Sequence, residues 1–210
     1  MSIWTPPEEK PLNLKRCERA DCDNGLHCYL KHRKKETPEG TCWSCGVGLV
    51  DWTRVRQLDI ADVQYTVSAL KTECIRHEFW CTVPIPEKVR QHAMWKGRSG
   101  LPDAAKRRLR SCVGKVADAY DGRRTPFEDK LDKSTILTFG QHATATCCRK
   151  CMAVWHGIPV DRALTEAELE YFAKLLVAYG LERIPDLPEE GVPRKRGVRT
   201  ANPRSLRRAS

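Results

Sequence analysis

No apolar run in this 210-residue chain approaches the roughly 18–20 residues that a membrane-spanning helix needs, so an integral helical membrane protein is excluded. Aromatic residues make up only 7% of the chain, although 6 of them are Trp. A core built from so few rings is modest and needs a supplement. Enzyme signatures are sparse: there is no Gly-rich phosphate loop, no GxSxG and no HExxH. Carboxylates at an evident paired spacing are missing, and so is the HxE half of a zinc-deaminase signature. The opening Met1–Pro7 stretch shows no charged-then-apolar leader. The expectation is therefore a cytoplasmic, reducing setting in which disulfides are rare.

Cysteine and positive charge are what the chain has in quantity. There are 11 cysteines, an odd number that a fully paired disulfide framework cannot use, and they cluster with histidines. In a reducing compartment that pattern reads as metal ligation. Lys plus Arg is 37 against 27 acids, a formal charge of +10. Residues 96–124 carry Lys106, Arg107, Arg108, Arg110, Lys115, Arg123 and Arg124 with few acids. Residues 191–210 add Arg194, Lys195 and Arg196 to a basic tail without one acid. Two such clusters are the footprint of a phosphate-backbone binder. A solvated helix face with a solubilising tail is the plainer explanation of the same charges.

Patterning predicts an α-rich α+β fold. It has a lead-in over 1–16, a Cys-rich zinc module over 17–52, an α-rich domain over 53–187 and a disordered tail over 188–210. Ile60, Val63, Val67, Leu70 and Cys74 recur at helical spacing behind Asp59 as N-cap. An extended piece is expected at 81–85, then a helix opened by Pro86 and ended by Gly97. A basic helix is expected from about Pro102 to Tyr120, a strand at Ile136–Phe139, and a helix from Thr146 to Trp155 stopped by Gly157. Thr165 and Glu168 form a capping box for a helix presenting Leu169, Phe172, Leu176 and Tyr179, which Gly180 closes.

Three groups of residues could carry chemistry. Cys17, Cys22, Cys28 and His32 follow the spacing C-x4-C-x5-C-x3-H. Zinc takes four such N/S ligands in a tetrahedron. Cys42-Trp43-Ser44-Cys45-Gly46 is a zinc knuckle, which supplies half a site. It can borrow Cys17 and Cys22 in a ribbon, or pair with Cys74, His77 or Cys81. The third group is His142-Ala143-Thr144-Ala145-Thr146-Cys147-Cys148-Arg149-Lys150-Cys151, followed by Trp155-His156-Gly157-Ile158-Pro159. On a helix, Cys148 and Cys151 share a face, and His142 can reach the same ion. His156 is about 12 Å farther along the axis and belongs at the helix end. An iron–sulfur cluster is an alternative to zinc at this second site. Cys147 and Cys151 as plain core residues are another.

The first group resembles CCCH zinc fingers, which implies zinc and single-stranded RNA; the first gap is shorter than in those fingers, and Tyr29 alone could stack a base. The segment from His142 to Cys151, with Trp155–Pro159 and Leu164-Thr165-Glu166, resembles an uncharacterised bacterial family of small proteins. That resemblance covers roughly 120–185 and implies a function-bearing segment without naming a reaction.

The reading that joins charge and cysteine is a zinc-stabilised nucleic-acid-binding protein. Its metal ligands would be Cys17, Cys22, Cys28, His32, Cys42, Cys45, His142, Cys148 and Cys151. An alternative is a metal-dependent nuclease or base-modifying hydrolase. It would be centred on His142, Cys147 and His156, beside a carboxylate such as Glu73, Glu78 or Asp161. A second alternative is an adaptor that uses zinc modules and an exposed patch near Trp43 and Trp52 to hold a protein partner. No membrane partner is expected.

Overall fold

Thr165 accepts a hydrogen bond from the Glu168 N–H, and the Glu168 carboxylate returns one from the Thr165 N–H. This reciprocal cap starts the longest helix of the computed structural model, which describes residues 20–29, 36–117 and 134–193. Arg162 braces the cap through both Glu168 oxygens. The described residues hold eight α-helices: α1 (Trp52–Arg56), α2 (Val63–Leu70), α3 (Cys74–His77), α4 (Glu87–Met94), α5 (Gly97–Cys112), α6 (Ile136–Ala143), α7 (Arg149–His156) and α8 (Glu166–Arg183). A π-helical turn, Glu78–Thr82, continues α3.

Helix α8 is the axis of the larger core. Its buried Leu169, Phe172, Leu175, Leu176 and Tyr179 meet α5, α6 and α2. Phe79, Trp80, Leu101, Leu109 and Phe139 fill the space between. Gly180 does not close α8, which runs one turn further to Arg183; the Arg183 guanidinium then donates to the carbonyls of Phe79, Trp80 and Val83. A second, smaller core joins the N-terminal segment to α7 through Tyr29, Cys42, Val50, Val55, Leu70 and Trp155.

The fold is mostly helical, and among the described residues there is no sheet. The strand expected at 136–139 is the first turn of α6. Thr135 and Thr138 cap it reciprocally, and Ile136, Phe139, Gly140 and Ala143 bury one helical face. A four-residue apolar run cannot separate these outcomes by itself. Cys81 and Thr82 belong to the π-helical turn, so the extended piece starts at Val83. The helical stripe from Ile60 breaks at Lys71–Glu73, which puts Cys74 on a separate helix. Asp59 caps as expected, accepting from the Ala61 N–H at 2.8 Å.

Helix α5 begins five residues before the expected start, and Pro102 sits inside it. The cause is tertiary. Its first N–H groups, at Arg98 and Ser99, donate to the carbonyls of Pro188 and Glu189 at 2.8 and 3.0 Å. Residues 188–192 are thus docked on the α4–α5 junction, where Val192 N–H also donates to Met94 O. Gly97 makes the junction possible. Its φ is +67°, and a Cβ there would lie 2.5 Å from Gly191 N. The expected loop over 121–133, Tyr120 and the tail from 194 lie outside the described residues.

Gly97→Ala should therefore destabilise the protein by about 1–3 kcal/mol, measured by urea unfolding. Gly100→Ala, in the same helix with 3.6 Å to the nearest atom, should be neutral or stabilising.

Candidate metal centres

Cys42 and Cys45 sit on a tight turn. The Cys42 N–H donates to Val47 O and the Gly46 N–H to Cys42 O, both at 2.8 Å, and Gly46 turns the chain at φ +78°. Both sulfurs then face one side. Opposite them, Asp21 and Leu26 pair across a turn through mutual N–H···O bonds of 2.7 and 2.9 Å. That places Cys22 and His27 on the same side. Cys22, His27, Cys42 and Cys45 have their ligand atoms within 4.8 Å of one another. Cys22 Sγ lies 3.8 Å from Cys42 Sγ, and Cys45 Sγ lies 3.5 Å from His27 Nδ1. A tetrahedral ion with metal–sulfur bonds of about 2.3 Å has S···S edges of about 3.8 Å. The four residues fit such an ion.

Electrostatics point the same way. Burial opposes ionisation of Cys42, but the Cys28, Cys45 and Ser44 backbone and the His27 ring outweigh it, and the thiol is pulled down to about 6. Burial, with the Cys45 and Cys42 thiols next to it, pushes Cys22 up to about 12. Two adjacent thiolates repel, and a bound cation removes that penalty.

The second centre lies at the start of α7. Cys148 is the N-cap, and its Sγ accepts from the Cys151 N–H at 3.4 Å. Cys147, Cys148 and Cys151 have sulfurs within 4.8 Å of one another. Thiol hydrogen bonds from Cys147 and Cys148, aided by the Arg76 charge and opposed by burial, hold Cys151 well below the usual thiol range. Arg76 Nη2 is 3.4 Å from Cys151 Sγ, and Nη1 donates to His142 O at 2.6 Å. Arg76 and its partner Glu73 are both fully buried, with Nε to Oε2 at 3.1 Å. Trp155 Nε1 donates to the same Glu73 oxygen at 2.9 Å. Burial raises the Glu73 pKa against the pull of Arg76, and Glu73 Oε1 is buried with no hydrogen-bond partner among the described residues.

The two centres are tied together through Glu73. His27 N–H donates to Thr72 O at 2.8 Å and Cys74 N–H to His27 O at 2.9 Å. These bonds clamp a ligand of the first centre onto the backbone that carries Glu73. Across the seam, Trp155 packs edge-on against Tyr29 at 5.9 Å and tilted against Trp52 at 5.1 Å.

The sequence-derived sites are regrouped accordingly. Cys22, Cys42 and Cys45 come together, the grouping of the ribbon alternative, and Cys74, His77 and Cys81 are not in that group. His27 takes the place expected for an imidazole from His32, which lies outside the described residues along with Cys17. Cys28 is buried and is not in the ligand group. Its neighbour His27 points into the group, and adjacent residues of an extended segment face opposite ways. The spacing C-x4-H-x14-C-x2-C carried the signal for His27, but the CCCH frame masked it. Cys148 and Cys151 come together, and Cys147 joins them. His142 does not: its ring stacks on Phe79 at 4.9 Å and 14°. His156 ends α7 as expected, but it is buried, with Nε2 donating to Thr144 O at 2.9 Å. Among the candidate nucleic-acid contacts, Lys106 pairs with Glu170. Arg110 pairs with Glu166 at 2.5 Å, and Arg108 donates to Gln141 at 2.9 Å. Arg107 and Lys115 are exposed. Arg123, Arg124, Arg194, Lys195 and Arg196 lie outside the described residues. Trp52 is half-buried, with Nε1 donating to Gly40 O.

These features define a mostly helical protein with two Cys/His groups whose ligand atoms lie close enough to hold a metal. The chain belongs to the DUF4186 family, a domain of unknown function whose model matches residues 64–180. The match takes in Glu73, Arg76 and the Cys147–Cys151 centre and begins after the first centre. It extends well upstream of the 120–185 segment singled out from sequence. No solved structure matches this chain. No described helix is long and apolar enough to cross a membrane.

Burial depresses the His156 pKa from 6.5 to about 4, so the folded state holds the ring neutral. Below about 6.5 the unfolded chain binds a proton that the folded chain refuses, so stability falls as pH drops from about 6.5 to about 4. The full loss is on the order of 3 kcal/mol. His156→Gln keeps a donor for Thr144 O and removes the titration. Its unfolding free energy, measured against urea at a series of pH values, should be flatter than wild type between about 6.5 and 4.5.

Proposed function

We propose that this protein is a zinc-stabilised nucleic-acid-binding protein. Cys22, His27, Cys42 and Cys45 would hold one zinc ion and fix the N-terminal segment on the helical domain. Cys147, Cys148 and Cys151 would hold a second at the start of α7. Zinc suits both donor sets, because thiolate and imidazole are its preferred ligands. A metal-clamped segment also answers the shortage of aliphatic residues before Val50.

The observation that carries the nucleic-acid reading is where α5 puts its cations. Its apolar face, with Leu101, Ala105 and Leu109, is buried against α8; Arg107 on α5 is left exposed, and so is Lys115, three residues past the helix end at Cys112. Lys106 and Arg110 are engaged by α8 carboxylates, but those pairs sit at the surface, with side chains 27% and 50% exposed. Surface pairs contribute at most about 1 kcal/mol, so a phosphate backbone can replace the carboxylates. The net charge of +10 acts in the same direction. The hydrolase alternative loses support: the His142 ring is stacked on Phe79, and His156 is buried and hydrogen-bonded to a carbonyl.

Elemental analysis of the purified protein should find two zinc equivalents per chain. Cys45→Ser should lose one and Cys148→Ser the other, whereas His142→Ala should keep both. Metal-free protein, or loss of an ion in His142→Ala, would contradict the ligand assignment.

Affinity for fluorescent single-stranded and duplex oligonucleotides should fall steeply between about 50 and 200 mM salt. The double variant Arg107→Glu/Lys115→Glu should bind about tenfold or more weakly at the low end, with a shallower salt slope. Absence of binding at about 50 mM salt would overturn the proposal.

A further inference from the structure

We propose that the Cys147/Cys148/Cys151 centre holds its metal through three thiolates and leaves the fourth position to a thiol from outside the chain, with water there in its absence. The inference rests on the reading that this centre binds a divalent metal, and it adds that the site is open.

Three lines of geometry converge. First, only three ligand atoms gather here among the described residues, whereas the first centre gathers four. Second, the two imidazoles nearest in sequence are occupied elsewhere. His142 stacks on Phe79. His156 is held by Thr144 O and enclosed by Tyr171 and Phe172, with ring centroids at 6.4 and 4.9 Å. Moving either ring to the metal would cost a buried aromatic contact, and for His156 a buried hydrogen bond as well. Third, the interior approach to Cys151 is taken by Arg76, whose Nη2 lies 3.4 Å from the sulfur. A guanidinium has five N–H donors and no lone pair to give, so it cannot be a ligand. Glu73 and His142 O hold it in place.

The outward approach has a different character. Cys147 and Cys151 are half-buried rather than enclosed, and Lys150 beside them is exposed. The centre lies at the N-terminus of the eight-residue α7, whose dipole favours negative charge. A divalent ion with three thiolates carries one negative charge and faces Arg76, whose own charge is shared with Glu73. An incoming thiolate adds one more, at the N-terminus of α7. Three protein ligands plus an exchangeable position is the arrangement of zinc sites that act on a ligand rather than only brace a fold. Sulfur donors match the softness of the other three.

The test uses full-length protein reconstituted anaerobically with Co²⁺, with Cys148→Ser as the reference that lacks the second centre. The wild-type minus Cys148→Ser difference spectrum reports that centre alone. Added 2-mercaptoethanol should raise its sulfur-to-cobalt charge-transfer absorption by about one third, as three thiolates become four, and should shift the ligand-field bands. Cys148→Ser itself should not respond. Cys17→Ser and His32→Ala should leave the difference spectrum as it is in wild type. A difference spectrum that ignores the thiol, or that changes in Cys17→Ser or His32→Ala, would show the fourth ligand to be the chain's own. The open site would then be wrong and the metal reading would stand. If wild type and Cys148→Ser bind the same single equivalent of cobalt, both fail.

Discussion

Glu73 is a fully buried carboxylate on which three parts of the structure converge. Its backbone neighbours receive the His27 segment, one of its oxygens holds Arg76, and the same oxygen receives the Trp155 indole. An isolated charge in this position would cost several kcal/mol. Arg76 offsets it, and is itself held by His142 O and faces Cys151. The pair therefore acts less as a source of net stability than as a device that specifies one arrangement. If either member is removed, a buried charge is left uncompensated, at about 3–5 kcal/mol. The N-terminal segment, α3 and α7 meet at this pair through polar contacts.

This arrangement explains how so little apolar residue supports the segment before Val50. The helical core around α8 follows ordinary rules, with long capped helices and interlocking aromatic rings. The smaller core has few members, and two of its boundary residues, Cys22 and Cys151, belong to the thiol groups. Metal–thiolate bonds would supply there what hydrophobic burial cannot. The packing of Trp155 edge-on against Tyr29 and tilted against Trp52 makes the seam continuous from one thiol group to the other.

Much of this was legible in the sequence, and the gaps have local causes. The Thr165–Glu168 cap, the Asp59 cap, the α7 end at His156–Gly157 and the apolar stripe of α8 were all readable, because each depends on residues within one or two turns. The knuckle Cys42–Cys45 was readable for the same reason. At 136–139 the sequence fits a strand as well as a helix, because four apolar residues suit either period and the Thr135–Thr138 reciprocal cap is not the usual Ser/Thr…Glu pair. The early start of α5 was hidden because its N-terminal partners are carbonyls some 90 residues away. Glu73 is one of several candidate carboxylates in the sequence, and no local pattern marks its role beside Arg76. Its importance comes from burial, and an i,i+3 Glu–Arg pair normally marks an exposed helix face.

Local pattern fixes which chemistry is available: clustered soft ligands, an excess of cations, helices with strong caps and no apolar span. It could do so because composition, spacing and capping act over a few residues. How these parts combine is settled by long-range packing. It chose His27 over Cys28, admitted Cys147 beside Cys148 and Cys151, and turned His142 onto Phe79. It also spread the α5 cations between ion pairs and solvent. Each of those outcomes depends on which distant backbone or side chain fills the space alongside, and that is set by packing around Glu73, Arg76 and α8 rather than by any local pattern.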